Sequence, residues 1–397
     1  MAMPHRQFSQ IRRKTLQTMF FSGFLCFTTT IPAQNSPILV PVAWTNGQFQ
    51  FGLLGETHVP YILEGSTDLQ SWISVATNGE SSATRSISLS APDTTTFYRA
   101  IIAMPLFGRA IAAIRNVVLS SGDVDSFDST DPLHSTAGLY DPRTHKDGGI
   151  IETSSTNAGA ISIGSTKVYG VVGTGFGGSV ALGSGIVGDS LFVNDPSHAG
   201  TIQSGHSKEL PRIDLPTLTI PNPDDSWIVP TAGSYNGSDY TFKLDTGNYI
   251  LPRISIAAGS SMVIAGNAVL YVPGPISISG SGYVSIAPAG SLRIYCGAPS
   301  GSNVSATISG GGFINLSGLA KNLAIFGLPT CTNVLVSATS SFIGVIYAPQ
   351  ADLRIAGSPS AVGAVAAKTV SLVGGLSFHY DERLGSIGLY CPWSRVP

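Results

Sequence analysis

Short apolar runs separated by Gly, Ser, Asn or Ala fill the chain from Gly122 to Asp381. "GAISIGSTKVYGVV", "ILPRISIAAGSSMVIAG", "AVLYVPGPISISGSGYVSIAPAGSLRIYCG" and "AVGAVAAKTVSLVGGLSFHYD" set the pattern. The runs return about every seven to nine residues, with apolar and small polar positions alternating inside each. Alternation with period two predicts strands that turn one face to a core and the other to solvent. Three such strands per turn, with small residues at the corners, predict a right-handed parallel β-helix (solenoid) over residues 122–385. A second sandwich or a propeller competes, but two-residue hairpin signals are rare and no blade-length repeat is present.

Residues 38–103 read differently. "GQFQFGLLG", "VPYILEGSTDLQSWISVAT", "RSISLSAP" and "TTFYRAII" are alternating runs between turn clusters, which predicts a small antiparallel β-sandwich. Trp72 and Tyr98 are its expected core aromatics, and Glu64 is expected to face Arg99 across two strands. Residues 104–121 then serve as a linker or cap, with Val117, Val118 and Leu119 opening the next sheet. Thr217 to Tyr249 breaks the solenoid rhythm with Pro, Asp and aromatic residues and reads as a loop or flap, and 386–397 as a C-terminal tail. The chain is therefore expected to be all-β.

Composition agrees with that class. Only 11% of residues are charged and 46 are glycine, whereas surface helices need charge on their solvent face. Residues 1–33 read as a signal peptide: Arg6, Arg12, Arg13 and Lys14 precede the apolar run Thr18 to Phe27, with small residues for cleavage near Ala33. Leu25 before Cys26 fits a lipoprotein signal poorly, and the run is short for a membrane span with no second one behind it. Export to the periplasm, outer surface or extracellular space is expected, with no transmembrane anchor in the mature chain. Losing four of the 21 basic residues leaves 17 against 23 acidic ones, near −6, which argues against nucleic acid and anionic membranes as partners.

Two resemblances add to this. Residues 61–69, Trp72 and Phe97 to Ala100 resemble a small fibronectin- or immunoglobulin-like module of the kind found in exported proteins of Gram-negative bacteria. "GDVDSFDSTDP", with the stretch from "FIGVIYAPQADLRIAG" to "FHYDERL", resembles an uncharacterised family of exported β-helical domains. Relatives of that family also occur near pilus and secretion-assembly proteins. The second resemblance spans residues 105–385 and implies a β-helix with a capped start and no established activity. The N-terminus lacks a prepilin-type cleavage pattern, so a pilus-subunit role is not expected.

Candidate chemistry is sparse. Asp123, Asp125, Asp128 and Asp131 suggest either an irregular calcium site at the mouth of the β-helix or Asx-turns that tie down its start. The spacing is not that of an EF-hand loop, since Phe127 takes its third ligand position. No other cofactor is indicated. His134, His145, His198 and His206 lie in a loop-rich stretch without metal-ligand spacing, and His379 is expected to pack with Tyr380. Gly173, Gly175 and Gly178 have dinucleotide-motif spacing but no following helix, so they read as solenoid corners. Trp227, Tyr235 and Tyr240 are candidates for carbohydrate stacking or for core packing. Cys296 and Cys331 form either a disulfide or, with Cys391, a set of buried thiols. From Ile250 to Ser377 the charged residues are Arg253, Arg293, Lys321, Asp352, Arg354 and Lys368, with no carboxylate pair for hydrolase or lyase chemistry. The expected function is structural or adhesive, at the cell surface or in the extracellular matrix, with polysaccharide or other surface proteins as partners. A polysaccharide-active β-helix enzyme is the alternative.

Overall fold

The computed structural model describes residues 38–45, 48–54, 61–67, 73–78, 84–90, 96–102, 107–210, 213, 215–218, 220, 227–357 and 360–385. The chain divides into two compact units, Met1–Ala103 and Met104–Pro397. It is all-β and dominated by a large parallel sheet.

In the first unit, Gln48–Leu54 pairs antiparallel with Ile38–Thr45 on one side and Thr84–Ser90 on the other. A second three-stranded sheet centres Tyr61–Ser66 between Ile73–Asn78 and Phe97–Ile102. Its register sets Glu64 opposite Arg99, as the alternation predicts. Phe51 of the first sheet meets Tyr98 of the second edge to face, with ring centroids 5.1 Å apart. Trp72 lies outside the described residues.

The second unit repeats one motif. Successive short strands join three parallel ladders in turn, and each pairs with its counterpart one repeat later, a pattern consistent with a β-solenoid. On the second ladder the triplets Ile254–Ile256, Ile276–Ile278, Ile161–Ile163 and Val117–Leu119 bury their first and third residues. β-branched side chains suit this arrangement because they pack tightly on a pleated, half-buried surface. On the first ladder a single column carries the core: Leu270, Ile294, Ile325, Ile346, Val365, Ile111, Ile151 and Val172 follow one another in register and are all buried.

That column is out of chain order. Its last C-terminal member, Val365, pairs with Ile111, the N-terminal one, and Ile111 pairs onward with Ile151. The same junction recurs on the second ladder, where Val370 and Leu372 meet Val117 and Leu119, and on the third, where Phe378 meets Val124. The second unit therefore begins in the middle of its own stack. The chain runs from there to one end at Ser207–Leu210, returns along the stack to the other end, and closes back on its starting strands. Within the stretch expected to be a linker or cap, Ile111–Ala113 and Val117–Leu119 are interior strands with neighbours on both sides.

The return segment is anchored at intervals. Ile213 exchanges two hydrogen bonds with Ser154 Oγ, Leu218 is buried, and the Pro216 carbonyl accepts from Tyr347 Oη at 2.8 Å. Trp227 then meets Tyr271 edge on, 6.4 Å between centroids. These contacts fall on the outward side of the first ladder, where Tyr271, Tyr295, Phe326 and Tyr347 form an in-register aromatic column that is nonetheless buried. Within the expected loop or flap over 217–249, the described residues hold a hairpin and a ladder strand. Thr231–Tyr235 pairs antiparallel with Ser238–Leu244, which leads the third ladder, and Gly247–Ile250 belongs to the first.

Candidate functional site

A dense polar constellation lies where the first and last third-ladder strands, in chain order, meet inside the stack. Asp123–Phe127 sits between Lys167–Tyr169 and Ser377–Asp381. Alternation turns Val124 and Phe378 into the core and Asp125 and His379 to the opposite face. There His379 Nδ1 lies 2.7 Å from Asp125 Oδ1, and Tyr140 Oη donates to Asp125 Oδ2 at 2.6 Å. The Tyr140 ring stacks on His379 with centroids 3.6 Å apart, so both partners of Asp125 also cover each other. Asp125 and His379 are almost completely buried, at 3% and 7% exposure. Burial and the adjacent Asp125 carboxylate hold the Tyr140 hydroxyl well above its ordinary range.

A second set of bonds fastens the same junction. Ser126 Oγ donates to Glu382 Oε1 at 2.8 Å and accepts from the Gly148 amide at 2.8 Å, while Lys146 Nζ pairs with Glu382. Asp381 accepts from the Ser129 and Arg383 amides, and Tyr380 Oη donates to the Phe107 carbonyl. Gly122 is required here. Its φ is +97°, and a Cβ at this position would strike the Leu376 carbonyl. Desolvation raises the Asp123 and Asp381 carboxyls above their usual values. Burial, with Asp123 and Asp125 nearby, pushes Tyr169 up to about 12.

The four aspartates of the opening motif do not converge. Among the described residues no three His, Cys, Asp or Glu side chains gather as a metal set. Asp128 accepts from the Thr130 amide and hydroxyl, and Asp131 from the Leu133 amide, both Asx-turn bonds. Asp125 instead spends both oxygens on His379 and Tyr140. Nor does the motif lie at a mouth of the stack, since ladder strands flank Asp123–Phe127 on both sides. Phe127 is buried and meets Tyr140 edge on. His379 pairs with Asp125 and Tyr140, not with Tyr380, a contact 254 residues long that no local pattern announces.

The remaining sequence candidates fall apart in space. His134 bonds the Thr144 carbonyl, His198 stacks on Phe192, His206 bonds the Gly170 carbonyl and His145 packs against Tyr169. Gly173 and Gly175 lie in a strand, where a Cβ on Gly173 would strike Leu210, and Gly178 follows the turn at Gly177. Tyr240 meets Tyr283 on the third ladder while Trp227 covers Tyr271 on the first, so the proposed stacking trio is not one surface. Tyr235 is half-buried in the hairpin. Cys296 and Cys331 are adjacent, buried, free thiols, and Cys391 lies outside the described residues.

What sequence reading missed is the outward column of the second ladder. Ser255, Ser277, Thr307, Leu335, Arg354, Ser371, Val118, Ser162 and Ala181 stand in register on successive strands. The central letters of the repeated "ISI" triplets were its signal. At the ladder spacing of about 4.8 Å the column runs for roughly 4 nm. It is short-chained and mostly neutral. Arg354 projects from it, and nearby Asp352 is engaged by Lys368 and Thr369.

Residues 224–387 match the model of a domain of unknown function, DUF7305. No curated protein and no solved structure matches the chain. The DUF7305 match runs from just before Trp227 through the last ladder strand, Ser377–Asp381. It includes the quoted C-terminal motif but not "GDVDSFDSTDP", so the similarity found is narrower than the resemblance over 105–385. The strands from Ile111 to Leu210 lie outside it and continue its ladders beyond the junction.

Proposed function

We propose that this is an exported structural or adhesive protein whose second unit is a right-handed parallel β-helix, presenting the outward face of its second ladder to an extended polysaccharide. The first unit is then a small β-sandwich that acts as a spacer, and residues 1–33 a signal peptide. The observation that carries the reading is the in-register outer column from Ser255 to Ala181, built mainly of Ser, Thr and other short side chains. A repeating polymer is matched by a repeating surface, since most strands offer a short hydroxyl or apolar side chain at a fixed interval, interrupted by Arg354. Binding of this kind draws on many weak contacts and needs no single deep cavity.

The enzymatic alternative needs an open groove with positioned acid and base groups. The polar cluster around Asp125 is closed: Asp125 is buried with both oxygens bonded, to His379 and Tyr140. The test is retention of the full chain on insoluble cellulose, chitin and peptidoglycan, beside a Ser277→Lys, Ser371→Lys variant whose changes point to solvent. The reading expects wild-type retention on at least one polymer, and its loss in a variant with unchanged melting temperature. Equal behaviour of the two proteins, or release of soluble sugar fragments by the wild type, would defeat it. Mass measurement of the secreted protein should place its N-terminus near Gln34.

A further inference from the structure

We propose that Cys296 and Cys331 form a buried disulfide that clamps two neighbouring repeats, the thiol pair of this structure being its reduced form. The inference stands on local geometry and is independent of the surface reading above. Cys296 ends a first-ladder strand and pairs in register with Gly327 on the next repeat. A tight return follows. The Leu328 amide donates to the Cys296 carbonyl at 2.8 Å, and the Cys331 amide donates to the Leu328 carbonyl at 2.8 Å. This brings Cys331 back over Cys296 at the corner where the second-ladder strand begins.

Two glycines let the backbone approach Cys331 closely. A Cβ built on Gly297, whose φ is +92°, would lie 3.2 Å from Cys331 Cβ, and one on Gly327 would lie 3.5 Å from it. Both cysteines are 0% exposed. The Cys296 thiol donates to the Cys331 sulfur, which raises the first and lowers the second.

The exchange balances with a small-molecule disulfide, oxidised glutathione, as the named oxidant. The thiolate of one cysteine attacks a sulfur of that disulfide and expels one thiolate. The thiolate of the other then displaces the second from the mixed disulfide. Two thiol protons are released to the departing thiolates, so two electrons pass to the oxidant and one Sγ–Sγ bond forms. Full burial bars the oxidant from the folded corner, so the bond forms while the chain folds, and once formed it resists reductants.

The experiment is to refold the full-length chain in a glutathione redox buffer, denature it without reductant, alkylate, digest and map the peptides by mass. The expected product is one linked peptide pair joining Cys296 to Cys331 that disappears on prior reduction. Reduction should also lower the melting temperature by roughly 5–10 °C. A Cys296→Ser, Cys331→Ser variant should show no response to reductant. Alkylation of both cysteines in the refolded wild type, or linkage of either one to Cys26 or Cys391, overturns the proposal.

Discussion

Residue by residue, the junction of first and last strands is where charge and burial conflict. Asp123 is about half buried, and desolvation raises its carboxyl despite Lys167 nearby. A carboxyl whose pKa rises on folding favours the folded state when protonated and costs stability once ionised. Its favourable share is therefore present below the unfolded value and is lost as pH climbs through the raised one. Asp123→Asn should then melt higher than wild type at pH 7, with the difference closing toward pH 4. Thermal unfolding at the two pH values checks it, and a gain that persists unchanged at pH 4 would contradict the account. The sequence showed half of this site. Asp128 and Asp131 announce Asx-turns locally, because their partners lie two residues on. The Asp125–His379 pair joins opposite ends of the unit, and composition carries no trace of it.

Among the elements, the triplets of the second ladder were legible, because alternating Ile and Ser fix which side chains turn inward. The first ladder was less so. Tyr271, Tyr295, Phe326 and Tyr347 point outward there and are nonetheless buried, in part by a segment that reads as a flap. The two sides of that ladder should respond differently to substitution. Ile325→Ala, in the inner column, should cost about 2–5 kcal/mol by leaving a cavity. Tyr347→Phe removes the bond to the Pro216 carbonyl, and should cost about 1 kcal/mol while loosening the return segment. Urea unfolding measures the first. Hydrogen exchange over 213–220 measures the second, and unchanged protection there would show that the Tyr347 bond does not anchor the segment.

For the molecule as a whole, the strand order is the feature that sequence could not supply. Ladder bonds run from backbone to backbone, and any repeat of the right length can pair with any other. Nothing in the triplets says that 365–381 should lie against 111–127, or that the DUF7305 strands should be continued by a segment that precedes them in the chain. The consequence is functional, because this junction makes one long outer column out of two shorter ones. The two segments are held together at the junction by Asp125–His379 and by Ser126, Lys146 and Glu382.

The most direct test of that order is a cross-link across the junction. Val118 and Ser371 are paired in register on the outward side of the second ladder, far apart in sequence. In Val118→Cys, Ser371→Cys, mild oxidation of the folded full chain should give a mass-mapped 118–371 disulfide with little change in melting temperature, while Val118→Cys, Ser255→Cys should give none. Absence of the 118–371 link in the folded protein, or equal linkage in the control pair, would contradict the strand order and the continuous face built on it.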